Sequence, residues 1–214
     1  MIEIKRFVAN PIGENCYIVW DETQEAAIID CGTWGEAKEA KIISFIEEHQ
    51  LIPQLALQTH MHFDHILGLH FLNRQYNLQP LCHAEEQAVY NAAPAMARDW
   101  FQLSIPEPLV PVKAYLTDGQ LLTFGHTRIR VLHTPGHTPG GVMFHLPDAR
   151  ILFSGDTLFQ GSVGRTDLPG SSIEQEIRSI RHKVLTLEPQ TIIYPGHGPA
   201  TTVSEEQQGN PFLA

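Results

Sequence analysis

Thr59-His60-Met61-His62-Phe63-Asp64-His65 sets three imidazoles and a carboxylate in one short segment, directly after the apolar run at 55–58. These are the side chains that hold zinc, iron or manganese, and crowding them together is costly unless a cation coordinates them. On a helix His60 and His62 would diverge, whereas an extended or looped segment brings i and i+2 to one side. The segment therefore reads as a loop with Asp64 and His65 on the other side of the same turn. One stretch of chain can then serve two cations at the roughly 3.5–4 Å spacing of two-metal sites. The bland alternative is a solvated histidine-rich loop.

Two cations need ligands from elsewhere, and three candidates follow strand-like runs. His137 comes after Thr134-Pro135-Gly136, Asp156 after Gly155, and His197 after Pro195-Gly196. Each sits beside small or rigid residues that permit a tight turn, just past the carboxyl end of a strand. All three can then converge on one edge of a sheet structure. His49, His70, His83, His126, His133, His145 and His182 lack this context and read as structural.

Outward from the cluster, strands are expected at 2–8, 15–20 and 26–30, then an amphipathic helix at 35–50 and a buried strand at 55–58. A helix at 66–76, a strand at 80–83 and helix at 84–102 follow, and the proline-bearing stretch 104–112 reads as an irregular connection or lid. A second strand block at 128–133, 141–146 and 151–154 leads to a helix at 173–187 and a last strand at 191–194. Two strand blocks, each followed by helices, predict two sheets packed face to face with helices outside, a four-layer αββα sandwich.

The 214 residues suit one α/β domain spanning 1–214, and 43% hydrophobic with 18% charged residues suits a packed core. Fourteen Lys and Arg against 24 Asp and Glu leave a formal charge of -10, which disfavours nucleic acid and anionic membranes as partners. The start has no apolar signal core, and no run approaches the roughly 18 apolar residues of a span, so a cytoplasmic protein is expected. Cys16, Cys31 and Cys82 are odd in number without a C-x-x-C pair, and read as core thiols in a reducing compartment.

The chain resembles the metallo-β-lactamase superfamily: the T-H-x-H-x-D-H signature is unbroken over 59–65, and Gly136-His137, Gly155-Asp156 and Gly196-His197 match the later positions. The resemblance implies that His60, His62 and His137 hold one metal, that Asp64, His65 and His197 hold a second, and that Asp156 bridges them. Asp30 matches a carboxylate placed behind the metals, where it would orient a ligand imidazole; closing a turn is its alternative role. Within the superfamily the chain looks most like the short glyoxalase II-like hydrolases, through Thr134-Pro135-Gly136-His137-Thr138, Gly164-Arg165-Thr166-Asp167, Gly196-His197-Gly198-Pro199 and Asn210-Pro211-Phe212. Longer glyoxalase II enzymes place a glutathione-holding helical domain after the last histidine, where this chain has residues 198–214, so the thiol carrier stays open.

The expected activity is hydrolysis of a small-molecule thioester such as S-lactoylglutathione. Two divalent ions, zinc ahead of iron or manganese, would present a metal-bound hydroxide to the acyl carbonyl, with Asp64 counted as catalytic. A thiolate, with a conjugate-acid pKa of about 8.5, leaves without a strong acid. Arg165 would contact a substrate carboxylate or pair with Asp167. The rival readings are a persulfide dioxygenase with one iron on His60, His137 and Asp156, and a non-catalytic metal-binding or redox-partner module. The oligomeric state is open.

Overall fold

Alternation along the first strands sets the layers. In β2 (Asn15–Trp20) Tyr17 and Val19 face one side while Cys16, Ile18 and Trp20 face the other, and all are buried. A strand buried on both faces must have a layer on each side. The structure, a computed structural model, describes residues 1–213 and supplies both layers.

The first sheet joins β1 (Glu3–Val8), β2, β3 (Glu25–Ile29), β4 (Ile52–Leu57), β5 (Pro80–His83) and β6 (Ala114–Leu116) in that order. The second runs β14 (Thr201–Thr202), β13 (Ile192–Pro195), β10 (Ile151–Gly155), β9 (Val142–Leu146), β8 (Thr127–His133) and β7 (Leu121–Phe124). Between them, Tyr17, Val19, Ala27, Ile29 and Leu57 meet Ile129, Val131, Val142, Phe144 and Phe153 in one buried core.

The outer face of the first sheet carries Ile18 and Ile28 against Ile42 and Ile46 of α1 (Glu36–Glu48) and Phe71 and Leu72 of α3 (Leu69–Tyr76). The outer face of the second carries Leu132, Met143 and Leu152 against Ile180 and Val184, in a π-type turn that extends α5 (Ile173–Ser179). Val203 of α6 (Val203–Gly209) joins that layer. A third outer cluster sets Met61, Phe63 and Cys82 against Tyr90, Ala93 and Ala97 of α4 (Gln87–Phe101). This is the expected αββα sandwich.

Several elements depart from the sequence reading. The helix expected over 66–76 is two pieces, α2 (Phe63–Ile66) and α3, broken at Leu67-Gly68. A side chain at Gly68 would meet Cys31 Sγ at 2.6 Å, so a glycine lets this turn lie on the end of the first sheet. β6, β7 and β14, with the small hairpin of β11 (Leu158–Phe159) and β12 (Ser162–Val163), are two to four residues long, too short for a periodicity to register. The stretch 104–112 is irregular as expected, yet Ile105 and Val110 are buried against the α4 cluster. Among the described residues no helix is long and apolar enough to cross a membrane.

β3 and β4 run parallel, as do β10 and β13, while β8 and β10 both pair antiparallel with β9 and so share a direction. The carboxyl ends of β8, β10 and β13 therefore open on one edge of the second sheet. Those of β3 and β4 open on one edge of the first.

Candidate metal centre

The seven side chains singled out from the sequence meet where those two edges join. His60 and His62 lie in the loop after β4, and Asp64 and His65 on the helical turn α2. His137, Asp156 and His197 follow β8, β10 and β13. Two groups of donors result: His60, His62 and His137, and Asp64, His65 and His197, each with ligand-type atoms within 4.8 Å of one another. Asp156 stands between them: Oδ1 is 3.4 Å from His65 Nε2, while Oδ2 is 3.8 Å from His137 Nε2 and 3.7 Å from His197 Nε2. His62 Nδ1 and His137 Nε2 are 2.9 Å apart, and Asp64 Oδ2 is 3.1 Å from His197 Nε2.

Hydrogen bonds behind the cluster decide which ring nitrogens face inward. Asp30, at the end of β3, accepts from Thr59 N at 2.7 Å and from the Thr59 hydroxyl at 2.6 Å. That hydroxyl has spent its proton on the carboxylate, so at 3.1 Å from His60 Nδ1 it accepts. His60 therefore carries its hydrogen on Nδ1 and turns the Nε2 lone pair to the centre, where the atom is buried without a protein partner. The Arg165 carbonyl, 2.8 Å from His137 Nδ1, imposes the same tautomer on His137. Asp30 Oδ2 lies 3.2 Å from His65 Nδ1 as a charge contact rather than a hydrogen bond. Orienting an imidazole through its other nitrogen is how metal ligands are ordinarily held.

Charge acts in the same sense at His60, His62 and His137, whereas His65, against its burial, is raised well above the usual histidine range by the Asp156 and Asp64 carboxylates. Burial, reinforced by the neighbouring imidazoles, drives His60 well below the usual histidine range, and burial beside His137 takes His62 down to about 3. Burial also lowers His137. Neutral imidazole is the form that donates a lone pair. Burial opposes ionisation of Asp156 and Asp64, yet His65 and His197 together hold both carboxyls low. An orphaned His60 Nε2, an orphaned Asp156 Oδ1 and a set of imidazole and carboxylate donors suit a pair of divalent cations.

Two glycines let the strand ends approach. Gly155 has φ +52°, and a Cβ there would lie 2.3 Å from Thr59 Oγ1; at Gly196 a Cβ would lie 2.2 Å from Asp156 Oδ1. Two buried glutamates, absent from the sequence reading, hold the loops from behind. Glu86 accepts from Met61 N at 2.7 Å and Gly140 N at 2.9 Å, tying the His60–His62 loop to the one that follows His137. Glu176, pushed up to about 8 by burial, accepts from His137 N at 2.8 Å. Asn10 donates to the Asp64 carbonyl at 2.8 Å and Gln58 to that of His65 at 2.8 Å. Nothing local marks these four as structural supports, because each acts on residues distant in the chain or facing away from it. Arg165 lines the cleft, but its guanidinium is held in a two-point pair by Asp167 at 2.8 and 2.9 Å.

Fold and donor set define a metal-dependent hydrolase with a centre suited to two ions. The chain belongs to the metallo-beta-lactamase superfamily, whose family pattern matches residues 9–197. It is 36% identical to the hydroxyacylglutathione hydrolase GloC of Haemophilus influenzae over 94% of this chain and 92% of that one. Among solved structures it is similar to the BLEG-1 B3 metallo-beta-lactamase (TM-score 0.90, 35% identity, 99% of this chain and 100% of that one). It is also similar to TTHA1623 in a di-iron-bound form (TM-score 0.86, 39% identity, 98% of this chain and 100% of that one).

Proposed function

We propose that this protein hydrolyses a small-molecule thioester, with His60, His62 and His137 holding one divalent ion, Asp64, His65 and His197 holding a second, and Asp156 shared between them. Zinc is the first choice of metal, with iron the alternative that the di-iron form of a 39% identical protein recommends. When bound, such ions lower the pKa of a coordinated water toward neutrality and polarise an acyl oxygen. The chain's own groups prepare for that chemistry. Thr59 and the Arg165 carbonyl lock the tautomers of His60 and His137, and Asp30 stands behind His65. Asp64, fixed by His197, orients the attacking water at the cleft floor.

The observation that carries the thioester reading is what the cleft offers besides metal donors. Among the described residues its lining contains, besides the donors, Ile12, Phe63, Met96, Trp100, Phe101, Leu168 and the Asp167-paired Arg165, with no serine, cysteine, lysine or tyrosine. A site with neither a protein nucleophile nor a dedicated proton donor suits a leaving group that departs as an anion, and thiolate does so readily. The likeness to a hydroxyacylglutathione hydrolase supports the same class.

The 35% identical lactamase favours a second reading, opening of a lactam amide, and this fits less well because an amine must be protonated as it leaves. The test is metal analysis of the protein as isolated, followed by thiol-release assays with S-lactoylglutathione and other thioesters, beside a chromogenic β-lactam. Two ions per chain and thioester turnover are expected. Lactam turnover alone would overturn the reading, as would one iron with persulfide-dependent oxygen uptake. His62→Ala and Asp156→Ala should each lose metal and turnover together.

A further inference from the structure

The cleft over the metal-type donors is lopsided. Its floor is polar, but Ile12, Met96, Trp100, Phe101 and Leu168 add an apolar lining, called the wall. Trp100 and Phe101 end α4 and are 51% and 46% exposed, an expensive way to leave two large aromatic rings unless something covers them. Phe101 is also firmly seated. The Phe101 ring lies 5.1 Å from that of Phe63, the residue between His62 and Asp64, and Ile12 and Met96 pack on the buried cluster that contains Phe63. The wall is thus tied to the very segment that carries the donors.

The cavity measures about 200 Å³, below the roughly 300–1,000 Å³ of sites that engulf a drug-sized ligand, so it takes part of a substrate. Among the described residues the side-chain cation on its lining is Arg165, and it is already matched by Asp167, so apart from the metal floor the lining offers an acidic carrier no unmatched side-chain charge. Resting on the thioester reading, we propose that the wall is a specificity subsite: the substrate is a thioester bearing an apolar group, aliphatic or aromatic, within a few bonds of the scissile carbon–sulfur bond. Trp100 and Phe101 select it. Water adds its oxygen to the acyl carbon as the carbon–sulfur bond breaks, the bonding pair leaves with sulfur, and carboxylate, thiol and one proton are released. The apolar group stays on the wall throughout.

Two substrate series test this, straight-chain acyl groups from acetyl to hexanoyl on one thiol, and thiols of growing alkyl length on one acyl group. In the series whose chain meets the wall, kcat/KM should rise about fourfold per methylene, the value of moving a methylene out of water. Trp100→Ala should flatten that rise to roughly twofold or less per methylene, and Trp100→Phe should restore most of it. A flat response in both series, or a rise that Trp100→Ala leaves intact, overturns the subsite while leaving thioester hydrolysis standing.

Were no thioester turned over, the functional reading would fall, and the subsite would be read directly by titrating hexanoate against acetate. Hexanoate should quench a tryptophan signal present in the native protein and missing from Trp100→Phe, and acetate should not. Equal behaviour of the two acids would remove the subsite as well.

Discussion

Replacing Glu86 by alanine should loosen the centre without touching any donor to it. The carboxylate is fully buried and takes the backbone N–H of Met61 at 2.7 Å and of Gly140 at 2.9 Å. Alanine orphans both amides in the interior, at about 1–3 kcal/mol each. Relief of the carboxylate's own burial offsets part of that sum, leaving an expected loss of about 2–4 kcal/mol. For a chain of this length that corresponds to a fall in Tm of roughly 5–15 °C.

The effect should also be local. Met61 lies between His60 and His62, and Gly140 follows His137 by three positions, so the three imidazoles of one group lose their common brace. Metal affinity should drop roughly 10–100-fold, as it does when groups that position ligands are removed. Glu86→Gln keeps one acceptor and presents a donor to the other amide, so its losses should be about half as large. Thermal unfolding of the apo-protein and a competition titration with a chelating dye read the two quantities separately. An alanine variant within 2 °C or so of the parent in Tm, with unchanged metal affinity, would refute the bracing role.

The other predictions concern a different corner and a different force. Burial opposes ionisation of Asp21, but the hydroxyls of Thr23 and Thr127 and the backbone N–H groups of Thr23 and His126 hold its carboxyl down to about 2. A folded pKa below the unfolded value of about 3.9 adds stability that is complete above that value and disappears as pH falls toward 2. Asp21→Asn should therefore lose about 1–2 kcal/mol at neutral pH, allowing for solvent screening, and show a flatter stability curve between pH 4 and 2; a parallel curve would sink the assignment. Gly196→Ala drives a methyl to within 2.2 Å of Asp156 Oδ1, so it should weaken metal binding roughly 10–100-fold while far-ultraviolet circular dichroism stays native, and full metal affinity in a folded variant would count against this crowding.

Legibility from sequence followed the range of the forces involved. The donors of 59–65 were visible because neighbours along a chain must share a small volume, whatever the fold. His137, Asp156 and His197 were visible because a ligand just past a strand needs a tight turn, and Thr134-Pro135-Gly136, Gly155 and Pro195-Gly196 advertise one. The reading of 59–65 as a loop missed that Phe63 begins a helical turn, which carries both Asp64 and His65. β11 and β14 were lost because two residues show no period, although β14 leads directly into α6 and the buried Glu206.

By itself the sequence determined the kind of chemistry: which donors exist, that they follow strands, and that two sheets must bring strand ends together. How those donors are presented depends on contacts between distant parts of the folded chain. The tautomer of His60 depends on Asp30 through Thr59, that of His137 on a carbonyl 28 residues away, and the brace on Met61 on Glu86, 25 residues on. The apolar wall comes from the end of α4, which reaches the cleft because Phe101 packs on Phe63. Hydrogen-bond direction and side-chain contact depend on distance in space, and distance in space is set by the packing of two sheets rather than by spacing along the chain.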